Sequence, residues 1–169
     1  DVNGDTTLTG NLVLSDGNFN LNSTGGDISV TGTITSAGED ETLTLTDGTG
    51  TGTITLGGAA TSGSITLVGD TGVSLGGNLT ASNSASAGTV LITGPVTLTQ
   101  NVVIGADQHA DTTVTFSSSV DGTKTFEIDT AAGAIAVQGA IGGNTALTSL
   151  TINSDGSGTI EVANIRTTG

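Results

Sequence analysis

The amino-acid sequence predicts an all-β protein whose short strands wind repeatedly around one long core, as in a parallel β-helix or β-solenoid. The first observation is a motif, U-x-U-x-G-x-U, where U is a residue that can face a core; eight copies occur. Successive copies start 22, 26, 19, 17, 24, 21 and 25 residues apart, and self-similarity at such a period indicates a repeat architecture. No long stretch follows the 3.6-residue period of a helix. Residues 1–169 are therefore expected to form one solenoid domain of about eight coils, each of ~22 residues.

The two U positions that begin the motif predict a strand. A strand sends alternate side chains to opposite faces, so two U residues separated by one residue share a face. The copies start at Thr6, Ile28, Ile54, Val73, Val90, Val114, Ile135 and Ile160. The second U of each copy is predicted to stack into one inward-facing column of core residues, namely Leu8, Val30, Leu56, Leu75, Ile92, Phe116, Val137 and Val162.

The glycine of the motif predicts a corner, because glycine adopts backbone angles that other residues avoid. The corner glycines are Gly10, Gly32, Gly58, Gly77, Gly94 and Gly139. Most copies are followed by a second short strand, at residues 19–21, 43–45, 65–67, 102–104, 126–128 and 150–152. The fourth copy lacks it and offers only residues 85–87. Stacking such small units would bury the apolar faces that one unit alone leaves exposed.

A β-sandwich is the alternative fold, since it also uses many short strands and Gly-rich turns. The solenoid is favoured because each copy repeats an inward, an outward and an inward residue, with the glycine at a fixed place after them. At a strand spacing of about 4.8 Å, eight coils would form a rod roughly 38 Å long.

The composition excludes several classes of function. The net charge is −14, and Lys124 and Arg166 are the only Lys and Arg residues. Nucleic acids require clustered basic residues, and anionic lipids attract them, so neither partner is expected. The chain has no cysteine, which excludes a disulfide framework and thiol chemistry. No stretch approaches the ~18 apolar residues of a membrane span, so no membrane insertion is expected.

Two acidic segments are candidates for a weak calcium site. Asp1, Asn3 and Asp5 alternate oxygen ligands as the start of a calcium loop does, but residue 12 is Leu where an EF-hand has its bidentate Glu. Glu39, Asp40 and Glu41 form the only dense acidic run and lie in the longest repeat, where an exposed loop is expected. The favoured interpretation is a polar corner in the first case and a solvated loop in the second, with no cofactor.

The sequence contains no pattern of catalytic residues. His109 is the only histidine and lies between Asp107 and Asp111, but no nucleophile or second ligand has a spacing that ties it to this residue, so a solvated corner is expected. Glu127 and Asp129 would both point outward from one strand, without the supporting base or the aromatic sugar platform that carbohydrate chemistry uses. The chain is therefore expected not to be an enzyme.

The region from residue 110 to 160 resembles a known group of proteins. The features are Val120-Asp-Gly122 before a Phe-x-Ile strand, Val137-Gln-Gly139-Ala-Ile-Gly-Gly143, and Thr145-Ala-Leu-Thr-Ser-Leu150. They are similar to the repeat units of filamentous-haemagglutinin-like proteins and other giant bacterial β-strand-repeat adhesins and exoproteins. The resemblance implies a right-handed β-helix, a bacterial source and a cell-surface or secreted location.

Two functions are consistent with these observations. The first is a non-enzymatic rod of a bacterial adhesin or extracellular filament. Its partners would be like repeats or identical subunits stacked end to end, and a host or cell-surface receptor. Because the chain starts at Asp1 and ends within a repeat, it is expected to be one segment of a longer or polymeric rod.

The alternative is a module that binds a regular surface such as ice through outward-facing threonines. The segments 42–46, 53–55 and 97–99 alternate Thr with another residue and motivate this hypothesis. The expected outward rows are interrupted by Asn20, Leu91, Val103, Glu127 and Glu161, whereas a lattice requires an unbroken array. The rod is therefore the favoured interpretation.

Overall fold

The computed structural model describes residues 1–48, 50–106 and 109–169, and these residues form three parallel β-sheets and no helix. Short alternating segments form the strands because their apolar residues share one face. Corners rich in Gly, Asp, Asn and Ser turn the chain between strands. Each of the first six coils contributes one strand to each sheet, so the chain advances by one strand position per coil.

Six coils contain three strands each. The first three coils consist of β1 (Thr6–Leu8), β2 (Leu12–Leu14) and β3 (Phe19–Ser23); β4 (Ile28–Val30), β5 (Ile34–Ser36) and β6 (Thr42–Asp47); and β7 (Thr53–Leu56), β8 (Ala60–Ser62) and β9 (Ser64–Val68). The next three consist of β10 (Gly72–Leu75), β11 (Leu79–Ala81) and β12 (Thr89–Thr93); β13 (Val96–Leu98), β14 (Val102–Ala106) and β15 (Thr113–Phe116); and β16 (Val120–Asp121), β17 (Thr125–Thr130) and β18 (Ile135–Val137). A seventh coil adds β19 (Ser149–Ser154) and β20 (Ile160–Val162).

The three sheets collect equivalent strands from successive coils. Sheet 1 has the order β1-β4-β7-β10-β13-β16, sheet 2 the order β2-β5-β8-β11-β14-β17-β19, and sheet 3 the order β3-β6-β9-β12-β15-β18-β20. In the seventh coil, Ile141 takes the place of a sheet 1 strand by bridging to Val120. Every strand pairing among the described residues is parallel. The predicted β-solenoid is confirmed, and a β-sandwich of antiparallel sheets is excluded.

The number of coils differs from the prediction: the structure has about six, whereas eight were expected. The motif copies that start at Val73 and Val90 lie in β10 and β12, which belong to the same coil. The 17-residue step between them is therefore a step within one coil. True coil steps follow the pairings Val73↔Val96 and Val96↔Val120 and are 23 and 24 residues long. Seven strands at about 4.8 Å span roughly 29 Å.

The predicted core column is wrong as a single column. The first four residues, Leu8, Val30, Leu56 and Leu75, are in register in sheet 1, where Leu98 continues them. The last four, Ile92, Phe116, Val137 and Val162, are in register in sheet 3, where Leu21, Leu45 and Leu67 precede them. The predicted second short strands are also split between two sheets. The first three lie in sheet 3 and the last three in sheet 2. The two columns face the core from different sheets.

The core lies along the axis enclosed by the three sheets. Val30, Leu56, Leu75, Ile92 and Phe116 are at most 1% exposed. Val137 is also buried, whereas Leu8 and Val162 at the two ends are half-buried. Burying each such side chain contributes about 1.5–3 kcal/mol, so the continuous column of apolar side chains stabilises the stack.

The corner glycines lie in two different corners. Gly10, Gly32, Gly58 and Gly77 separate sheet 1 from sheet 2, whereas Gly94 and Gly139 lie between sheet 3 and sheet 1. Close approach of neighbouring coils excludes a side chain here. A Cβ atom on Gly58 would lie 2.5 Å from the Gly32 carbonyl oxygen, and one on Gly32 would overlap the Gly10 carbonyl. The sequence identified the corners, but the reason for glycine includes coil contact as well as backbone freedom.

Candidate functional site

Many Asp and Asn side chains at the corners hydrogen-bond to the next coil. The Oδ1 atom of Asp5 accepts the N–H of Asp27 (3.0 Å), and the Oδ1 atom of Asp27 accepts the N–H of Thr53 (2.7 Å). Asn11, Asn78 and Asn101 accept backbone N–H groups in the same way, about one coil later in the chain. These side chains satisfy backbone donors that the strands leave unpaired. Much of the polar corner chemistry is therefore structural.

The acidic residues of the first calcium candidate, Asp1 and Asp5, make separate hydrogen bonds of this kind. Asp1 accepts a hydrogen bond from the Asn22 side chain at 3.0 Å, and Asp5 binds the backbone of the next coil. Asn3 is exposed. The described residues contain no group of three or more His, Cys, Asp or Glu side chains placed to hold a metal ion. Asp1 and Asp5 therefore connect the first coil to the next.

The second candidate, the acidic run at residues 39–41, joins two loops that are far apart in the chain. Glu39 accepts hydrogen bonds from the N–H (3.2 Å) and the hydroxyl of Ser84, and the Oδ1 atom of Asp40 accepts one from the Asn83 amide (3.2 Å). The hydrogen bond from the Ser84 hydroxyl is the main reason that the pKa of Glu39 is lowered. The loops belong to the second and fourth coils. Only Gly63 separates β8 from β9 in the coil between them. Sequence reasoning missed Asn83 and Ser84 because no periodic pattern marks them.

Glu41 differs from its two neighbours because its side chain is buried. Its carboxylate accepts hydrogen bonds from the Ser36 hydroxyl at 2.5 Å and from the Gly38 N–H at 3.1 Å. The Ser36 hydroxyl is the largest cause of a lowered pKa at Glu41, and the hydrogen bonds together outweigh the opposing effect of burial. The carboxylate thus remains charged while it fixes the corner between β5 and β6.

The remaining candidates do not converge on one site. His109 is half-buried, and its Nδ1 atom accepts the N–H of Asp111 at 3.2 Å within a tight turn. Asp107 lies outside the described residues. Glu127 and Asp129 point outward from β17, where Asp129 accepts a hydrogen bond from the Asn153 amide at 2.9 Å.

The two basic residues make their described hydrogen bonds through the backbone. The Lys124 carbonyl accepts the N–H of Thr148, and the Arg166 N–H donates to the Ile141 carbonyl, both at 2.9 Å. These two contacts connect neighbouring coils. Both residues therefore help to hold the stack together through their main chains.

The outward side of β6, β9, β12 and β15 in sheet 3 carries a two-dimensional array, which we call the threonine face. Its three columns are Thr42, Ser64, Thr89 and Thr113; Thr44, Thr66, Leu91 and Thr115; and Thr46, Val68 and Thr93. Every one of these residues is half-buried, as expected on a regular sheet surface.

The interruptions expected in the outward rows are distributed over two sheets. Asn20 and Glu161 lie at the two ends of the Thr44 column in sheet 3, beyond the threonine face, and Leu91 lies within it. Val103 and Glu127 are in sheet 2. Of the five predicted interruptions, only Leu91 therefore lies within the threonine face. The segments 53–55 and 97–99 belong to sheet 1.

The two ends of the rod expose strand edges. Among the described residues, β1, β2, β3, β19 and β20 each pair with a neighbour strand on one side only. Single bridges cover part of these ends: Val2 pairs with Ser23 of β3, and Ile165 and Thr167 pair with Ile141 and Leu147 of the last coil. Their inward residues are less covered than those in the middle: Leu12, Phe19, Leu21, Leu150 and Ile152 are only partly buried. Ile160 and Ile165 are 46% and 50% exposed. A strand edge of this kind can pair with another strand.

None of the described residues forms a helix long and apolar enough to cross a membrane. A scan against protein-family models and searches of curated proteins and of solved structures found no match for this chain.

Proposed function

We propose that this chain is a non-enzymatic structural rod that stacks end to end with like repeats or identical copies. The observation that carries the proposal is the pair of uncovered ends, where half-buried core residues continue the columns of the interior. The strand pairs of the described residues are all parallel, so the edge of β1–β3 in one copy matches the edge of the last coil in another without reversing direction. A head-to-tail contact of this type that does not close into a ring propagates as a filament.

The register of sheet 3 predicts which residues meet in the stack. Asn20 begins a column that runs through Thr44, Thr66, Leu91, Thr115 and Ala136 to Glu161. Direct pairing of β20 with β3 of the next copy would place Asn20 of one copy beside Glu161 of the other, about 4.8 Å away at the strand spacing. This pairing requires the bridging residues Val2, Ile165 and Thr167 to leave their positions in the single chain. Both side chains point outward, so changing them leaves the core intact.

A disulfide trap tests this arrangement directly, since the chain has no cysteine of its own. A chain carrying Asn20→Cys and Glu161→Cys should form a ladder of disulfide-linked oligomers under mild oxidation, because neighbouring strands meet the Cα distance that a disulfide requires. A control chain with Asn20→Cys and Thr151→Cys places the second thiol on sheet 2 and should not form that ladder. Equal cross-linking of both chains, or a monomer at every concentration in sedimentation, would overturn the proposal.

The biological setting of the rod is proposed from the resemblance of residues 110–160 to repeat units of giant bacterial adhesins and exoproteins. In that setting, the rod would be part of a secreted or cell-surface filament that presents other segments to a host or cell-surface receptor. The rod itself would use no cofactor. Detection of the chain at the surface of intact cells, with an antibody to the folded rod, tests this location.

A further inference from the structure

The threonine face is uncharged although the protein carries 16 acidic residues and a net charge of −14. Its side chains are hydroxyl residues and two aliphatic ones, Val68 and Leu91. Asp47, the only acid in these four strands, is buried. Sheet 2 carries the outward acids Glu127 and Asp129. The outward side of sheet 1 is also uncharged up to the buried Asp121, but it consists mainly of a single row, Thr7, Ser29, Thr55, Ser74 and Thr97. The threonine face is thus an uncharged surface that is several columns wide.

This face is also regular in two directions. Parallel strands in register place equivalent residues about 4.8 Å apart across the sheet, and alternate residues along a strand lie about 6.6 Å apart. Thr44, Thr66 and Thr115 illustrate the first direction and Thr42, Thr44 and Thr46 the second. None of the hydrogen bonds found among the described residues uses the hydroxyl of a threonine on this face. The threonine hydroxyls therefore remain available to an external partner, whereas the Ser64 hydroxyl accepts the N–H of Thr89 at 3.1 Å.

We propose that the threonine face binds the surface of ice. A crystal of water is uncharged and periodic in two directions, so it suits an uncharged array whose polar groups repeat in two directions. Each threonine offers a hydroxyl that both donates and accepts a hydrogen bond and a methyl group that excludes disordered water. The aliphatic side chains of Val68 and Leu91 interrupt the hydroxyls but introduce no charge. Binding ice is a second activity, independent of end-to-end stacking.

Other occupants match this surface less well. Polymers of sugars are usually held on aromatic platforms, and the chain has no Trp or Tyr. Its Phe116 and Phe126 rings are buried, and Phe19 packs half-buried against the core. Specific protein interfaces are enriched in aromatic residues and Arg at their centres, and the threonine face has neither. A second copy packed sideways remains a distinct outcome that the experiment can detect.

The test measures ice growth in the presence of the purified chain, by thermal hysteresis and by the shape of single ice crystals. Wild-type protein should lower the freezing point below the melting point and facet the crystals. Thr66→Tyr breaks the array at its centre and should abolish most of the difference between the melting and freezing points. Thr55→Tyr is the matched control, since Thr55 lies in the same coil and is also half-buried, but on sheet 1. The Thr55→Tyr variant should show the same thermal hysteresis as wild-type protein.

Two further measurements keep the result interpretable. Circular dichroism must show that both variants keep the wild-type melting temperature. If Thr66→Tyr does not fold, Thr44→Lys replaces it as the test variant, since it adds a charge to the same face. Absence of any effect of wild-type protein on ice growth would overturn the proposal. So would an equal loss in Thr55→Tyr. If Thr66→Tyr instead changes only the sedimentation of the protein, the face joins copies sideways and ice binding is refuted.

Discussion

The ring of Phe126 contacts the ring of Phe116 edge to face inside the core, with their centroids 5.6 Å apart and their planes at 88°. Phe116 lies in β15 of the fifth coil and Phe126 in β17 of the sixth, and both are at most 1% exposed. The pair therefore links two coils and two sheets through the largest side chains of the protein.

Phe116→Ala is expected to lower the free energy of unfolding by about 3–5 kcal/mol, because it removes a buried ring and leaves a cavity. A double-mutant cycle with Phe126→Leu should show a coupling of about 0.5–1.5 kcal/mol, the usual range for an edge-to-face aromatic pair. Urea denaturation of the four proteins measures both quantities. Strictly additive losses would mean that the two rings contribute by burial alone.

Val137→Asp should destabilise several coils, since it places a carboxylate in the core between Phe116 and Val162. Val137 is 2% exposed, whereas Val13 is 62% exposed on the outside of sheet 2. The matched change Val13→Asp should therefore alter stability by less than about 0.5 kcal/mol, as surface substitutions usually do. Thermal melting compares the two variants, and hydrogen exchange should show the loss of protection centred on the sixth coil. Equal melting temperatures would contradict the burial of Val137.

The strands could be predicted from the sequence because alternation of apolar and polar residues reports which side chains are buried. Val30 and Phe116 were identified as inward-facing residues on this basis, and both are buried. The sheet to which each strand belongs could not be deduced, because the same U-x-U-x-G pattern precedes corners at the ends of both sheet 1 and sheet 3. The one available signal was the 17-residue step from Val73 to Val90. It is shorter than the 19 residues from Ile54 to Val73, the shortest true coil step.

Contacts between loops were not predictable from periodicity. Asp40 and Asn83 are 43 residues apart, and their hydrogen bond depends on the short corner of the third coil allowing two longer loops to meet above it. Nothing in the spacing of apolar residues encodes such a meeting. The threonine face was not predictable for a related reason: the spacing of residues does not show to which sheet each outward side chain belongs.

Gly58→Ala should destabilise the rod because its new Cβ atom would lie 2.5 Å from the Gly32 oxygen and 3.1 Å from the Thr33 nitrogen, both backbone atoms. The expected cost is about 1–3 kcal/mol, as for other overpacked sites. Gly105→Ala is the control, since its Cβ atom would lie 3.8 Å from the nearest atom, in the Thr80 side chain. That change should leave the stability of the folded protein unchanged or raise it by about 0.4–1 kcal/mol, because alanine lowers the conformational entropy of the unfolded chain. A stable Gly58→Ala variant would show that neighbouring coils can separate at this corner.

Salt should stabilise the folded rod. The chain has 16 acidic residues and two Lys plus Arg residues, so the compact state experiences repulsion among its carboxylates. Screening becomes effective as the Debye length falls to about 10 Å at 0.1 M salt. The melting temperature is therefore expected to rise as sodium chloride is added to a low-salt buffer. A constant melting temperature would indicate that the acids are spaced too widely to interact.

Stability should also fall in acid, and Glu41 should contribute to that fall. Hydrogen bonds, first of all from the Ser36 hydroxyl, hold the pKa of the Glu41 carboxyl below its ordinary value in the folded protein. A group with a depressed folded pKa stabilises the fold above its unfolded pKa, which is about 4.3 for Glu. That contribution is lost as the pH decreases through the folded pKa.

The variants Glu41→Gln and Ser36→Ala test this assignment. Glu41→Gln should be less stable than wild-type protein at neutral pH, and the difference should shrink as the pH is lowered below the folded pKa of Glu41. Ser36→Ala removes the largest cause of the shift, so the pKa of Glu41 should rise toward its ordinary value, as measured by NMR titration of the side-chain carboxyl carbon. If Ser36→Ala leaves that pKa unchanged, the backbone N–H groups around the carboxylate, such as that of Gly38, are sufficient to hold its charge.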